Sequence, residues 1–202
     1  MLEGVLNGVR VLDFTIQEQG PVASQVLGDF GAEIIKIERP GTGDPMRGGA
    51  KPGVNGMPAW GGGFMAFNRN KKSIALNLKS PEGKQVVLEL AKDADVVISN
   101  FRHGVMERLG FGYDDLSRIN PRIIVAYGSG YGQTGPYKDR IGQDMIGQAM
   151  GGMTAQSAHR GNAPVVAGYD TADLFGGMIL AHGVTLALMA REKTGRGRSE
   201  EH

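Results

Sequence analysis

The segment from Val9 to Glu38 constrains the fold more than any other stretch. Val9 to Thr15, VRVLDFT, is a short apolar and β-branched run between turn residues, and it reads as a buried strand. Gly20-Pro21 punctuates it, with Pro21 suited to the first turn of a helix. Val22, Val26, Leu27 and Phe30 then recur at helical spacing as far as Gly31, a natural C-cap. Glu33 to Glu38, EIIKIE, is the next strand. Strand, turn, helix, glycine, strand is the order of a βαβ unit, whose crossover makes its two strands parallel.

The alternation continues. Arg39 to Gly63 is a long Gly- and Pro-rich loop holding Arg39, Arg47, Lys51 and Trp60, and loops of that length tend to carry function. A basic cluster, Asn68 to Lys72, leads into an alternating strand from Ser73 to Leu78. Ser80-Pro81 caps an amphipathic helix through Ala91. Strands follow at Asp95–Ser99 and Arg122–Tyr127, with short helices at Val105–Leu109 and Tyr113–Ile119 between them and another at about Asp144–Met150. The expected fold class is α/β, an open, mostly parallel, Rossmann-like sheet with helices on both faces.

Near the end, a polar run with Asp170 and Asp173 precedes an apolar segment from Leu174 to Ala190. That segment is slightly short of a bilayer span and carries His182 and two central glycines, so it reads as a buried core helix and not a membrane helix. Asp173 then falls at the helix N-terminus, among unpaired backbone N–H groups. Two readings stay open on position alone: an N-cap, or an ionised, exposed carboxylate at a strand-to-helix junction, ready to act as a nucleophile.

A net charge of +1 over 202 residues argues against a dedicated nucleic-acid binder. Zero cysteines exclude disulfides, thiol nucleophiles and cysteine-type zinc sites, and the four scattered histidines form no metal-ligand spacing. No basic region precedes an apolar core at the N-terminus, so no signal peptide is read and a cytoplasmic location is expected.

Ligands of open parallel sheets lie beyond the C-terminal strand ends. Placed there by this reading are Gln17-Glu18-Gln19, Arg39, Lys71 and Lys72, Asn100-Phe101-Arg102, and the Gly128-Ser129-Gly130 loop. Cations, an aromatic ring and free backbone N–H groups at one edge suit a phosphorylated nucleotide. No G-x-G-x-x-G follows the first strand, and neither a Walker A lysine motif nor a G-x-S-x-G elbow is present.

Six ordered blocks resemble the type III CoA-transferases, the family of formyl-CoA:oxalate and carnitine CoA-transferases and their racemase relatives. They are GVRVLDFT with Gly20-Pro21, GAEIIKIERPGTGDPMR, NKKSIALNLKSPEGK, ADVVISNFRHGVMERLGFGYDDL, NPRIIVAYGSGYGQTGPY and ADLFGGM…LMAREKTGRG. The resemblance implies coenzyme A or an acyl-CoA as substrate, a small carboxylic acid as its partner in exchange, no metal, no nucleic acid and no membrane. It implies that Asp173 is the nucleophile, passing through an acyl anhydride and an aspartyl-CoA thioester. CoA-binding positions carry over as Glu18, Arg39, Lys71, Asn100, Phe101, Arg102, Arg108, Ser129 and Gly130, with Arg39 and Lys71 on phosphates, Phe101 near the adenine, and the helix N-terminus offering donors to oxyanions.

Two departures qualify it. Gln143 stands where the racemase branch has a histidine before the aspartate, here Asp144, which favours transfer over racemisation. Family members are also much longer. Residues 1–202 are therefore expected to be the CoA-binding part of the large domain without the small domain, acting as a homodimer or with a separate C-terminal half. The alternatives are a truncated, inactive CoA-binding remnant or, further off, a racemase-like enzyme. The tail Ser199 to His202 does not look like the family's continuation into its next strand.

Overall fold

A computed structural model describes residues 4–48, 61–157 and 163–201. Lys51, Trp60, His159 and His202 lie outside the described residues. Among the described residues, six parallel strands form one sheet: β1 (Arg10–Asp13), β2 (Glu33–Glu38), β3 (Lys71–Ala75), β4 (Val96–Ser99), β5 (Ile124–Tyr127) and β6 (Ser199–Glu201), in the order β3-β2-β1-β4-β5-β6. Central β1 pairs with β2 and β4, so that Leu12 lies opposite Ile35 on one side and Val97 on the other. The chain moves outward to β3, returns across the sheet, and moves outward again to β6. The order therefore reverses between β1 and β4, where a crevice opens beyond the strand ends.

Strand residues alternate between two cores, which is why these runs are apolar throughout. Val11, Ile34, Val96, Ile98, Ile124 and Ala126 pack beneath α1 (Gln19–Asp29) and α8 (Thr171–Thr194). Leu12, Phe14, Ile37, Val97, Ile123 and Val125 pack beneath α3 (Pro81–Lys92), α4 (Val105–Leu109) and α5 (Tyr113–Ile119). Helices thus cover both faces. Each fully buried Val, Leu or Ile stabilises the fold by about 1.5–3 kcal/mol before entropy is counted. The Ser80 hydroxyl accepts from Gly83 N at 3.1 Å to start α3, with Pro81 in its first turn.

Helix α8 crosses α1 closely because Gly177 has no side chain: a Cβ there would stand 2.5 Å from Gln19 O and 2.8 Å from Val22 Cβ. Its far end is anchored by the buried Arg191, which reaches Asp95 Oδ1 at 2.8 Å and Arg122 O at 3.2 Å. Only one face of α8 is core. Leu180, Ala181, Val184, Ala187 and Leu188 are buried, whereas Phe175, Met178, Ile179, Leu186 and Met189 are each at least half exposed. The helix is long and apolar enough to cross a membrane by length and composition alone, but its small-residue face seals the sheet.

Three readings of the sequence need correction here. The third strand begins at Lys71 and not at Ser73, because the backbone of Lys71 is already in register with Ile34. Ser199–Glu201 does continue as a strand, parallel to β5; as an edge strand it needs no apolar run. Within the stretch expected to be loop, the described residues form a 3-10 turn, Pro45–Arg47, and the start of α2 (Gly62–Phe67). Between β5 and α8 lie α6 (Asp144–Met150) and α7 (Met153–Ser157).

Candidate active site

The crevice at the switch point is a cavity of about 1720 Å3, walled by the C-terminal ends of β1, β2, β4 and β5 and by the first turns of α6 and α8. It exceeds a typical small-ligand pocket of roughly 300–1,000 Å3 and has room for an extended nucleotide. Of the residues expected to act there, Asp173, Glu18, Arg39, Asn100, Phe101, Arg102, Ser129 and Gly130 line it.

Asp173 lies in the first turn of α8. The N-cap position belongs to Asp170, whose side chain makes no capping bond, and among the described residues no strand leads directly into it. The cap comes from another helix: Asp144 Oδ1 accepts from Ala172 N at 2.7 Å and Asp173 N at 3.1 Å. Thr171 N donates to Tyr169 O at 2.8 Å and Leu174 N to Asp170 O at 3.0 Å. All four first-turn N–H groups of α8 are therefore occupied. They are not open donors for an oxyanion, which corrects the expectation drawn from the helix end. Ser129 lines the cavity, and its hydroxyl oxygen is buried with no hydrogen-bond partner among the described residues.

Two helix N-termini meet here, and their dipoles favour carboxylates. Burial and mutual repulsion win nonetheless. Burial, then Asp144 and Asp170, push the Asp173 carboxyl up to about 6. Burial, a hydrogen bond with Asp170 and the charges of Asp170, Asp173 and Asp144 push Glu18 up to about 8. At neutral pH Asp173 is mostly ionised, while Glu18 keeps its proton and can donate a hydrogen bond. Two neighbouring carboxyls are thus set apart in protonation by their surroundings.

The cavity also carries a group of cations. Arg39 and Arg102 are exposed, and Lys79, Lys138 and Arg140 join them. His103 Nδ1 lies 2.8 Å from Gln133 Oε1 and its Nε2 lies 3.3 Å from Lys138 Nζ. Arg140 stacks on Tyr137 at 3.9 Å. Loops from β5 and before α6 meet glycine to glycine: a Cβ on Gly130 would lie 2.5 Å from Gly142 Cα. Among the described residues no cluster of histidine and acidic side chains is arranged to hold a metal ion.

Lys71 and Arg108 are not brought to the cavity. Lys71 starts β3 at the opposite edge, and its buried ammonium reaches Asp13 at 3.1 Å and Pro21 O at 3.0 Å, so it has no phosphate to meet. Arg108 is exposed on α4, beside Gly104. The Asn100 amide is spent on Ile16, accepting from its N at 2.9 Å and donating to its O at 2.7 Å, which ties the β1 and β4 ends together. Sequence reasoning did not assign Asp144 and Asp170 to the site; the only signal was their place at helix starts.

Residues 6–199 match CoA-transferase family III. The chain is similar to the mouse (Mus musculus) succinyl-CoA:glutarate CoA-transferase, 43% identical over 95% of this chain and 43% of that one. It is similar also to the formyl-CoA:oxalate CoA-transferase of Afipia carboxidovorans, 41% identical over 96% of this chain and 45% of the relative. A crystal structure of a CAIB/BAIF family protein from Brucella suis superposes with a TM-score of 0.90 at 35% identity, covering 98% of this chain and 53% of that one. The chain thus spans less than half the length of these two curated relatives.

Proposed function

Because the chain belongs to CoA-transferase family III, we propose that it forms the CoA-binding, nucleophile-bearing part of an enzyme that moves CoA between small carboxylic acids. The observation that carries this reading is Asp173 itself, half-buried at the switch-point cavity with its carboxyl pushed to about 6, at the acidic end of a crevice that also holds exposed cations. An acyl-CoA has this polarity: anionic phosphates at one end and an electrophilic thioester at the other.

In the proposed sequence an Asp173 oxygen attacks the thioester carbon, the C–S bond breaks, and CoA leaves as a thiolate with a mixed anhydride on Asp173. The thiolate then attacks the Asp173 carbonyl carbon and releases the first acid as its carboxylate, which leaves an aspartyl-CoA thioester. The second acid's carboxylate then attacks the aspartyl thioester carbonyl, the C–S bond breaks and a new mixed anhydride forms. The freed thiolate attacks that anhydride at the acid's carbonyl carbon, which gives the new acyl-CoA and releases Asp173 as its carboxylate. No net proton is consumed, so a neutral Glu18 serves by hydrogen bonding and need not transfer its proton. Gln143, at the N-cap of α6, offers no acid-base group for racemisation. The exposed apolar residues of α8 support a further part of the polypeptide or a second subunit covering that face. A cytoplasmic location belongs to the same proposal.

The test is intact-mass analysis after mixing with succinyl-CoA, with hydroxylamine as the trap, on this chain and on an engineered fusion to a relative's C-terminal half. A trapped adduct on Asp173, absent in Asp173→Ala, is expected. Transfer that persists in Asp173→Ala overturns the nucleophile assignment. CoA binding by the isolated chain with no adduct in either form identifies a CoA-binding remnant.

A further inference from the structure

Two energetically unfavourable features sit side by side beneath the cavity wall. The first is Gln17, a non-glycine residue in the left-handed region at φ 66, in the turn between β1 and α1. The second is an ion pair without solvent: Lys36 Nζ lies 2.9 Å from Asp44 Oδ2, with side chains 1% and 0% exposed. A strained backbone persists only where its surroundings over-determine it, and a buried ion pair seldom repays its desolvation. Their adjacency at the ligand edge therefore calls for an account beyond stability.

The hydrogen bonds supply one. Lys36 Nζ donates to Thr15 O at 2.7 Å, and Asp44 Oδ1 accepts from Gln17 N at 3.3 Å. The pair thus grips the turn on both sides of Ile16, which Asn100 holds by its amide. Asp44 is fixed in turn, because its own N–H donates to Glu38 Oε2 at 2.9 Å. Gln17 and Glu18 follow directly and both face the cavity.

We propose that the buried Lys36–Asp44 pair is a clamp that holds the Thr15–Glu18 turn in its strained conformation, so that Lys36 and Asp44 are positioning residues for Gln17 and Glu18 beside Asp173. Neither charge touches the reacting atoms. The ammonium holds a carbonyl, the carboxylate holds an amide, and each neutralises the other, so the turn is gripped through two backbone groups that no neutral pair of this size would hold equally well. The kinetic consequence rests on the CoA-transfer reading given above; the clamp itself does not.

The experiment compares Asp44→Ala, Asp44→Asn and the double variant Lys36→Met/Asp44→Asn by residue-resolved amide hydrogen exchange on this chain, and by kcat and KM for succinyl-CoA where transfer is measurable. Asn keeps an acceptor for the Gln17 N–H, and the double variant folds without a stranded buried charge. Asp44→Ala is expected to speed Gln17 exchange by about tenfold or more while Leu12 and Val97 stay unchanged. It should lower kcat about tenfold with KM altered by less than about threefold. Asp44→Asn should recover part of both values through its acceptor but not all, because Lys36 is left without its counter-charge, and the double variant should fold yet exchange quickly at Gln17. Unchanged Gln17 exchange in Asp44→Ala and in the double variant overturns the clamp, as does equal acceleration across all strands. Faster Gln17 exchange with unchanged kcat overturns the positioning role. A parent protein that lacks transfer even when fused to a relative's C-terminal half, while Gln17 exchange still responds, supports the clamp and refutes the CoA-transfer reading.

Discussion

Asp144 Oδ1 accepts the backbone N–H of Asp173 at 3.1 Å across 29 residues of sequence, so one carboxylate caps the helix that carries the other. The same Asp144 receives Gln148 Nε2 at 2.5 Å, and Gln148 Oε1 accepts Ala167 N at 2.8 Å. A single chain of hydrogen bonds therefore joins α6, the segment before α8 and the backbone of Asp173. Asp144 also repels Asp173, which helps to raise its carboxyl. Asp144→Ala should cost about 1 kcal/mol of stability as a lost cap, and it should lower the pH at which Asp173 ionises, because a like charge is gone. Thermal unfolding and the pH profile of Asp173 adduct formation check the two halves, and Asp144→Asn should keep most of the stability while still lowering that pH.

Stability of the ligand-free protein should fall as pH rises through neutrality. Glu18 and Asp173 are held by burial first, and then by neighbouring carboxyls, at about 8 and about 6. The folded state thus binds more protons than the unfolded chain between the ordinary carboxyl range and those values. Their contribution is fully present below the ordinary range and is lost as pH passes about 6 and then about 8. Melting temperature measured against pH should show this slope, and Glu18→Gln should flatten its upper part.

The opposite sign holds for Glu38. Burial pushes its carboxyl up, but hydrogen bonds from Arg47, Ser73 and the Asp44 N–H outweigh that and hold it at about 2. Arg47 binds it with both Nε, at 2.7 Å, and Nη2, at 2.6 Å. This stabilisation is present above the usual 4.5 and is lost as pH falls toward about 2. Glu38→Gln should lower stability near neutrality by about 1–3 kcal/mol and weaken the acid dependence, as read by denaturant unfolding at several pH values.

Gly177→Val should push α1 away from α8, since a first side-chain atom already meets Gln19 O and Val22. A loss of about 1–3 kcal/mol is expected from overpacking. Because Gln19 follows Glu18, the same change should slow adduct formation more than it weakens CoA binding, which calorimetry and intact-mass kinetics separate.

Much of this protein is legible in its residues. Apolar runs such as VRVLDFT and RIIVAY, punctuated by glycine and alternating with amphipathic segments, could form little other than an open parallel sheet. The strand ends then named most of the cavity wall, from Glu18 and Arg39 to Phe101 and Ser129. Lys71 was misplaced because a basic cluster before a strand looks the same whether its side chains reach solvent or turn under a helix. Lys36 and Asp13 had a signal, a charge inside an otherwise apolar strand, but its meaning depends on which partner folds opposite.

Local sequence determined the strand and helix order and the first-turn position of Asp173, because periodicity, turn residues and caps act within a few residues of chain. Tertiary structure alone decided which carboxylates met. Burial and charge proximity, which push Asp173 to about 6 and Glu18 to about 8, depend on distances between α1, α6 and α8 that no local pattern encodes. The strained Gln17 turn is of the same kind, held by Lys36 and Asp44 from separate points along the chain.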